Sequence, residues 1–138
     1  MSKRESAIIA VINTLKSNTT FEIQRNTPIP TTALSNGLIV VRDGESGEPE
    51  VTMSPTQYHY EHKIDLEVFG VGANLDTALD SMLEAIATAL EANPTLNGVV
   101  DNLYLTAPDF DLTIDASIRC KAAIINAVVF YSTNSPLK

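Results

Sequence analysis

The sequence predicts an α+β fold in which two helices pack on one face of a mostly antiparallel β-sheet. Three observations lead to this class. The segment from Asn74 to Asn93 has apolar residues at helical spacing, and so does a shorter segment that follows Ser2. The segment from Gln57 to Phe69 instead alternates in the way typical of a strand with one buried face. With 138 residues and a hydrophobic content of 44%, the chain is expected to form a single domain, residues 1–138.

The first helix is expected to begin after Ser2 and to end near Ser17. Ser2 and Glu5 have the spacing of a capping box, in which two side chains satisfy free amides at a helix start. The segment 21–25 alternates and predicts a short strand, and the proline-containing segment 26–36 predicts an extended loop. The buried stripe of the first helix is expected to consist of Ala7, Ile8, Val11, Ile12 and Leu15.

The middle of the chain predicts two further strands joined by a polar arm. The β-branched run 38–42 favours a strand, and the segment 45–56, with two prolines and several glutamates, predicts a protruding hairpin arm or loop. The long strand 57–69 should present one face to the helices and the other to water or to a neighbouring subunit. Its end at Tyr58 and Tyr60 is expected to project beyond the core. His59 and His62 point to opposite faces, which excludes a shared metal and predicts two surface or interface histidines.

The second helix has clear boundaries. Asn74 can cap its start, and Pro94 cannot continue it. The segment 95–98 predicts a turn, 99–107 a strand, 108–115 an acidic connection and 118–131 a final strand. The final strand lacks clean alternation, which indicates a central place in the sheet. The stripe of the helix expected in the core consists of Leu75, Ala78, Leu79, Met82, Leu83, Ile86 and Leu90, and its opposite face carries Asp76, Asp80, Glu84 and Glu91.

The charge is strongly negative and unevenly distributed. The formal net charge is −8, and the stretch from Asp43 to Asp115 alone holds fifteen acidic residues and one basic residue, a balance of −14. Nucleic-acid-binding proteins normally need a basic surface, so sequence-specific DNA binding is disfavoured. Solubility alone also accounts for such a surplus. The apolar runs are too short for a membrane span, and the single cysteine, Cys120, fits a reducing cytoplasm.

No motif for phosphate binding, calcium binding or catalysis is complete in the sequence. The segment 70–72 (GVG) lacks the third glycine of a phosphate-binding loop, and Asp76 occupies the place of the anion, so a turn is expected. The three aspartates in 109–115 lack the glycine and the last carboxylate of a calcium loop. Cys120 has no histidine in a recognisable catalytic context and is expected to be structural. The sequence therefore predicts no catalytic residue, no metal and no cofactor, and the chain is expected not to be an enzyme.

Several short stretches carry a family resemblance. These are 79–83 (LDSML), 89–90 (AL), 95–101 (TLNGVVD) and 127–133 (AVVFYST). Together with the order of the predicted helices and strands, these stretches resemble the tail terminator family of long-tailed bacteriophages. This family includes tail completion proteins similar to minor tail protein U. The resemblance covers most of the chain, from Arg4 to Thr133.

The resemblance implies a structural protein of the virion. Members of this family form a ring, commonly a homohexamer, that caps the finished tail tube and stops its polymerisation. The ring then offers a surface to the head-side connector protein, and DNA passes through its hole without specific binding. The expected location is the head-proximal end of the tail, after assembly in the host cytoplasm.

Two sets of residues follow as hypotheses, and the alternative for each residue is solvated surface. The interface set is Arg4, Tyr58 and Tyr60. The pore-lining set is either the helix acids Asp80, Glu84 and Glu91 or the arm acids Glu45, Glu48 and Glu50. Alternative functions are a head–tail connector, a tail tube subunit, an acidic adaptor for a basic protein, and a small-molecule transferase with a cleft between helix and sheet. The transferase would need convergent polar groups with perturbed pKa values.

Overall fold

The structure, a computed structural model, describes residues 1–30, 32, 34–110, 112 and 119–138. Two helices and a six-stranded sheet form within these residues, which confirms the α+β class. The elements in chain order are α1 (Lys3–Asn18), β1 (Glu22–Arg25), β2 (Leu38–Glu45), β3 (Glu50–Thr52), β4 (Gln57–Gly70), α2 (Leu75–Glu91), β5 (Asn102–Leu105) and β6 (Lys121–Thr133).

The sheet has the strand order β1-β2-β4-β6-β5, and β3 pairs with the start of β4. Only the β1–β2 pair is parallel among the strands described. Strand β6 pairs with β4 along its whole length, from Tyr58 opposite Thr133 to Gly70 opposite Lys121. The predicted central place of the last strand is confirmed. Ile118, its predicted first residue, lies outside the described residues.

Both helices pack on one face of the sheet, as predicted. The Glu5 amide donates a hydrogen bond to Ser2 Oγ at 3.1 Å, and the Thr77 amide donates one to Asn74 Oδ1 at 3.3 Å, so both predicted caps form. The reciprocal half of the capping box is not made, because the Glu5 carboxylate pairs with Arg25 instead. The core between helices and sheet includes Ile8, Val11, Leu15, Ile39, Val41, Ile64, Leu66, Val68, Leu79, Met82, Ile86, Leu90, Ile125 and Val129.

The other face of the sheet, called the outer face here, is half covered. The loop after β1 packs Ile29 and Leu34 on a second apolar cluster that includes Phe69. Glu67 lies on this face, which was predicted to meet water or a neighbouring subunit, but it is only 8% exposed. Its carboxylate pairs with Arg42 Nε at 2.6 Å and Arg42 Nη2 at 2.9 Å. The rest of the second cluster consists of Leu38, Val40, Cys120 and Ala122.

Strand β2 continues beyond its predicted end at Arg42. Its pairing with β4 is interrupted by a β-bulge and then resumes at Glu45. Arg42 lies opposite Asp65 and Glu45 opposite Lys63, so two residues of β2 face one residue of β4. Gly44 is the second of the two bulge residues and has a φ of +66°. A non-glycine residue rarely adopts this conformation, so the bulge depends on glycine.

The structure does not confirm a protruding arm in 45–56. Strand β3 forms a short hairpin with β4, with Glu50 opposite His59. The predicted projection of Tyr58 and Tyr60 is wrong, because this end of β4 also pairs with β6. The predicted strand 99–107 is shorter as well, since its first residues belong to the preceding turn.

Candidate functional site

The exposed face of α2 carries a row of carboxylates. Asp80, Glu84 and Glu91 are all exposed, whereas the apolar side chains on the opposite side of the helix are buried. Separations of four and seven residues place the three on one stripe, because an α-helix has about 3.6 residues per turn. The helix contains no lysine, arginine or histidine. The row is therefore a continuous negative surface that no cation of the same helix balances.

The start of α2 is built for packing rather than for phosphate. A Cβ atom on Gly70 would lie 2.9 Å from the Leu79 amide nitrogen, so this glycine allows the helix to approach the sheet closely. Asp76, in the first turn, pairs with Lys121 of β6. Gly70 is still the last residue of β4, and the chain bends only after Val71, so the predicted turn begins later than 70. A carboxylate occupies the helix start where a phosphate would bind.

The arm acids lie on a different surface from the α2 row. Glu45, Glu48 and Glu50 are all exposed, but Glu45 lies opposite Lys63 and Glu50 lies opposite His59. Their partners belong to the outer face, which the sheet separates from the helices. Glu48 and Glu50 line a shallow depression of about 300 Å³. The structure therefore does not bring the two predicted pore-lining sets together on one surface.

The three predicted interface residues have different environments. Arg4 is exposed and forms no ion pair in the described part of the chain. Tyr58 is half-buried against the core. Tyr60 is only 8% exposed and its ring stacks on Tyr131, with 5.5 Å between ring centroids. This is a correction to the expectation for Tyr60, whose ring is used by the core and not by a free surface.

His59 joins three strands. Its Nδ1 lies 2.6 Å from Ser132 Oγ of β6, and its Nε2 lies 2.9 Å from Thr52 Oγ1 of β3. In a Ser-His-Asp triad the histidine accepts the nucleophile's proton while its other nitrogen donates to an orienting carboxylate. Here both nitrogens face hydroxyl groups. The histidine–serine pair is thus arranged to hold the β3 hairpin on the sheet.

His62 is a core residue, which corrects the expectation of a surface or interface histidine. It is 1% exposed. Its Nε2 lies 2.6 Å from the Asp43 carbonyl oxygen, so this nitrogen must donate. In the neutral ring Nδ1 then accepts, and the Tyr131 hydroxyl, 3.0 Å away, donates to it. Burial lowers the pKa of His62 and raises the pKa of Tyr131 to about 12, so both groups are neutral at pH 7.

The buried imidazole should make stability depend on pH. The pKa of His62 lies below the value of 6.5 that it has when unfolded, so the unfolded chain takes up the proton first as the pH falls. Its contribution to stability is full above pH 6.5 and decreases as the pH falls toward the native pKa, by at most about 1.4 kcal/mol per pH unit. Urea unfolding between pH 7 and pH 5 measures this slope.

His62→Gln should flatten the slope in this pH range, because the variant has no side chain at this position that gains a proton on unfolding. A variant with the same slope as the unmodified chain would contradict the assignment to His62.

A guanidinium group fixes the start of α1. Arg25 of β1 donates to both Glu5 oxygens, at 2.6 and 2.8 Å, and its Nε donates to Asp43 at 2.8 Å. The Arg25 guanidinium lowers the pKa of Glu5 and of Asp43. The first turn of α1 is thereby tied to β1 and to the bulge of β2.

The outer face also carries an aromatic pair that the sequence reasoning missed. Tyr104 of β5 and Phe130 of β6 lie 5.7 Å apart between ring centroids, and Tyr104 is 44% exposed. The Tyr104 hydroxyl donates to Glu61 at 3.1 Å, which raises the pKa of the tyrosine. The available signal was that each ring follows a buried residue in its strand, Leu103 and Val129, and so points to the outer face.

Other candidate sites are weak within the described residues. A depression of about 540 Å³ lies between α2 and the loops around Gly37 and Gly72, and no titratable side chain lines it. No group of three potential metal ligands occurs among the residues described. Asp111 and Asp115, two of the aspartates in the predicted acidic connection, lie outside them. Burial raises the pKa of Cys120, as expected for a structural thiol.

Comparison of the chain with protein-family models and with curated proteins finds no match. Neither described helix is long and apolar enough to cross a membrane.

Proposed function

We propose that this chain is a tail terminator subunit of a long-tailed bacteriophage. Copies of it form a ring, commonly a hexamer in the family it resembles, on the last layer of the tail tube. The ring stops tube polymerisation and then provides the surface on which the head-side connector joins. DNA passes through the hole without specific binding, and the chain works without catalysis or a cofactor at the head-proximal end of the tail.

The observation that carries the proposal is the carboxylate row on α2. In the proposed ring, Asp80, Glu84 and Glu91 face the hole. From the first to the last of them the helix rises by roughly 16 Å, at about 1.5 Å per residue. A wall of this charge repels phosphate, so a DNA duplex can move past it without being held. The arm acids lie beyond the sheet from this row, so the two sets cannot line one wall. We assign the pore wall to the α2 set, because no cation of that helix balances its carboxylates.

The edges of the sheet support self-association. In the described residues β1 and β5 form the two ends of the sheet, and β3 borders only β4. Edge strands have backbone groups without a partner in the same chain and readily pair with another chain. A head-to-tail contact between different edges closes into a ring when the rotation between copies allows it.

Two measurements test the proposal together. Light-scattering mass and negative-stain imaging should show a ring with a central hole, either in solution or on tube ends. Addition of the protein to polymerising tail tube subunits should then give tubes of limited length with the protein at one end only.

Three results would overturn the proposal, and each points to an alternative. Incorporation along the whole tube would indicate a tube subunit, and binding to the head-side connector without an effect on tube length would indicate a connector. Turnover of a small-molecule substrate by a monomer would indicate an enzyme.

A further inference from the structure

One half of the outer face has no cover from the described residues. At the other half, the loop after β1 packs on the cluster around Phe69. The uncovered half, called the aromatic face here, consists of Glu61, Tyr104 and Phe130 with Glu48 and Glu50 at its rim. Tyr104 is among the few large hydrophobic side chains exposed in the structure.

The chemistry of the aromatic face favours a cationic occupant. The face combines two aromatic rings with three exposed carboxylates, those of Glu48, Glu50 and Glu61. The exposed Lys63 lies on the same face but opposite Glu45, so carboxylates outnumber cations there. A guanidinium or ammonium group binds over the ring of a tyrosine or phenylalanine and can pair at the same time with a carboxylate beside it. Arginine suits such a site best because its planar group both stacks and donates in a fork.

The same chain carries an uncompensated cationic patch on the start of α1. Arg25, Arg42 and Lys121 pair with acids of their own chain, whereas Lys16, Lys63, Arg119 and Lys138 are single cations without an ion pair in the described part of the chain. Lys3 and Arg4, in the first turn of α1, form no ion pair in the described part of the chain. The helix dipole disfavours cations at this end by a few tenths of a kcal/mol each, so the fold of the single chain does not explain their place.

The helical turn that carries the cationic patch is tied to the sheet by ion pairs. Glu5, next to Arg4, is tied by two hydrogen bonds to Arg25, which also binds Asp43. A partner that binds this patch therefore has to order only the side chains of Lys3 and Arg4, which reduces the entropic cost of association.

We propose that the aromatic face of one copy receives the first turn of α1 of a second copy, with Arg4 over the Tyr104–Phe130 pair and against Glu61. The helices pack on the face of the sheet opposite the aromatic face, so one chain cannot make this contact with itself. Because the two surfaces differ, the contact is heterologous and repeats from copy to copy. The inference rests on the self-association proposed above and names the surfaces that produce it.

Charge reversal tests the contact. Arg4→Glu and Glu61→Arg should each weaken self-association at least about tenfold, because each places like charges together. The double variant Arg4→Glu/Glu61→Arg should recover most of the association. Lys16→Glu is the matched control, since it makes the same charge change at the other end of α1, and it should associate like the unmodified chain. Analytical ultracentrifugation of the full chain, alone and with assembled tail tubes, gives the dissociation constants.

Each outcome has a defined meaning. Equal effects of Arg4→Glu and Lys16→Glu, or a double variant that stays as weak as the single variants, would overturn the proposed contact. If Arg4→Glu rings form normally and still limit tube length, the contact is wrong and the terminator function stands. If the charge-reversal pattern appears but tube length is not limited, the contact stands and the terminator function is wrong. An unmodified chain that remains monomeric in solution and on tubes would overturn both.

A cross-link provides a readout that loss of folding cannot imitate. Arg4→Cys in one copy and Tyr104→Cys in another should form a mixed disulfide dimer on oxidation, while either variant alone should give little product. The native Cys120 is buried and does not compete. Equal cross-linking when Lys16→Cys replaces Arg4→Cys would contradict the contact.

Discussion

Gly44→Ala is expected to lower the free energy of unfolding by about 2 to 5 kcal/mol. Gly44 has a φ of +66°, and a Cβ atom there would lie only 1.8 Å from the Lys63 carbonyl oxygen. The left-handed conformation costs a non-glycine residue about 1 to 2 kcal/mol, and a backbone shift that relieves the overlap costs about 1 to 3 kcal/mol more. The shift also affects the neighbouring Asp43 carbonyl, which accepts the hydrogen bond from His62. Urea unfolding at pH 7 measures the loss.

Gly47 provides a control with the same backbone conformation. It also has a φ of +66°, but nothing lies within 4 Å of a Cβ atom placed there. Gly47→Ala should therefore cost only the conformational part, about 1 to 2 kcal/mol. The difference between the two variants isolates the steric overlap in the bulge. Equal losses would mean that β2 and β4 separate easily at this point and that the bulge is not a fixed feature.

The elements with one clearly buried face were predictable from the sequence. In α2 the apolar residues repeat at helical spacing between Asn74 and Pro94, and the structure places the helix at Leu75–Glu91. In β4 alternation was equally clear, and its predicted bounds differ from the observed ones by one residue. Local periodicity is sufficient in these cases because a single core decides which side chains are buried.

Features that depend on a contact between residues far apart in sequence could not be predicted. Glu67 alternates like a surface residue, but it is buried because Arg42 of the neighbouring strand neutralises it. His62 is buried because the bulge of β2 brings the Asp43 carbonyl to it and β6 brings the Tyr131 hydroxyl. The bulge itself gave no periodic signal, since a single extra residue shifts the register without a change in composition.

The same distinction between local patterns and distant partners applies to the two candidate surfaces. The acids on α2 followed from helical spacing within one segment, so their common face was predictable. The aromatic face joins Glu61 of β4, Tyr104 of β5 and Phe130 of β6, which are far apart in sequence. Only the strand order brings these three residues together, and the sequence alone did not give that order.

On the function proposed above, the triple variant Asp80→Lys/Glu84→Lys/Glu91→Lys is expected to form rings that retain DNA. It changes the formal net charge from −8 to −2, since each replacement adds two positive charges. Three lysines can neutralise three phosphates, and such an interaction weakens about 40-fold between 50 and 200 mM salt. Virions assembled with the variant should therefore deliver DNA more slowly, with infectivity reduced more than about tenfold at low salt and partly restored at higher salt.

A neutral variant with the same side-chain shapes distinguishes the attraction of DNA by the lysines from the loss of repulsion by the carboxylates. Asp80→Asn/Glu84→Gln/Glu91→Gln keeps the side-chain shapes but supplies no cation, so it should reduce DNA delivery much less and with little dependence on salt. Ring formation should survive in both variants, because the three side chains are exposed on α2 and distant from the aromatic face. Normal infectivity of the lysine variant at low salt would place the row outside the pore. Loss of the ring in either variant would place it in a contact between subunits, and the pore wall would then have to be sought on another surface of the chain.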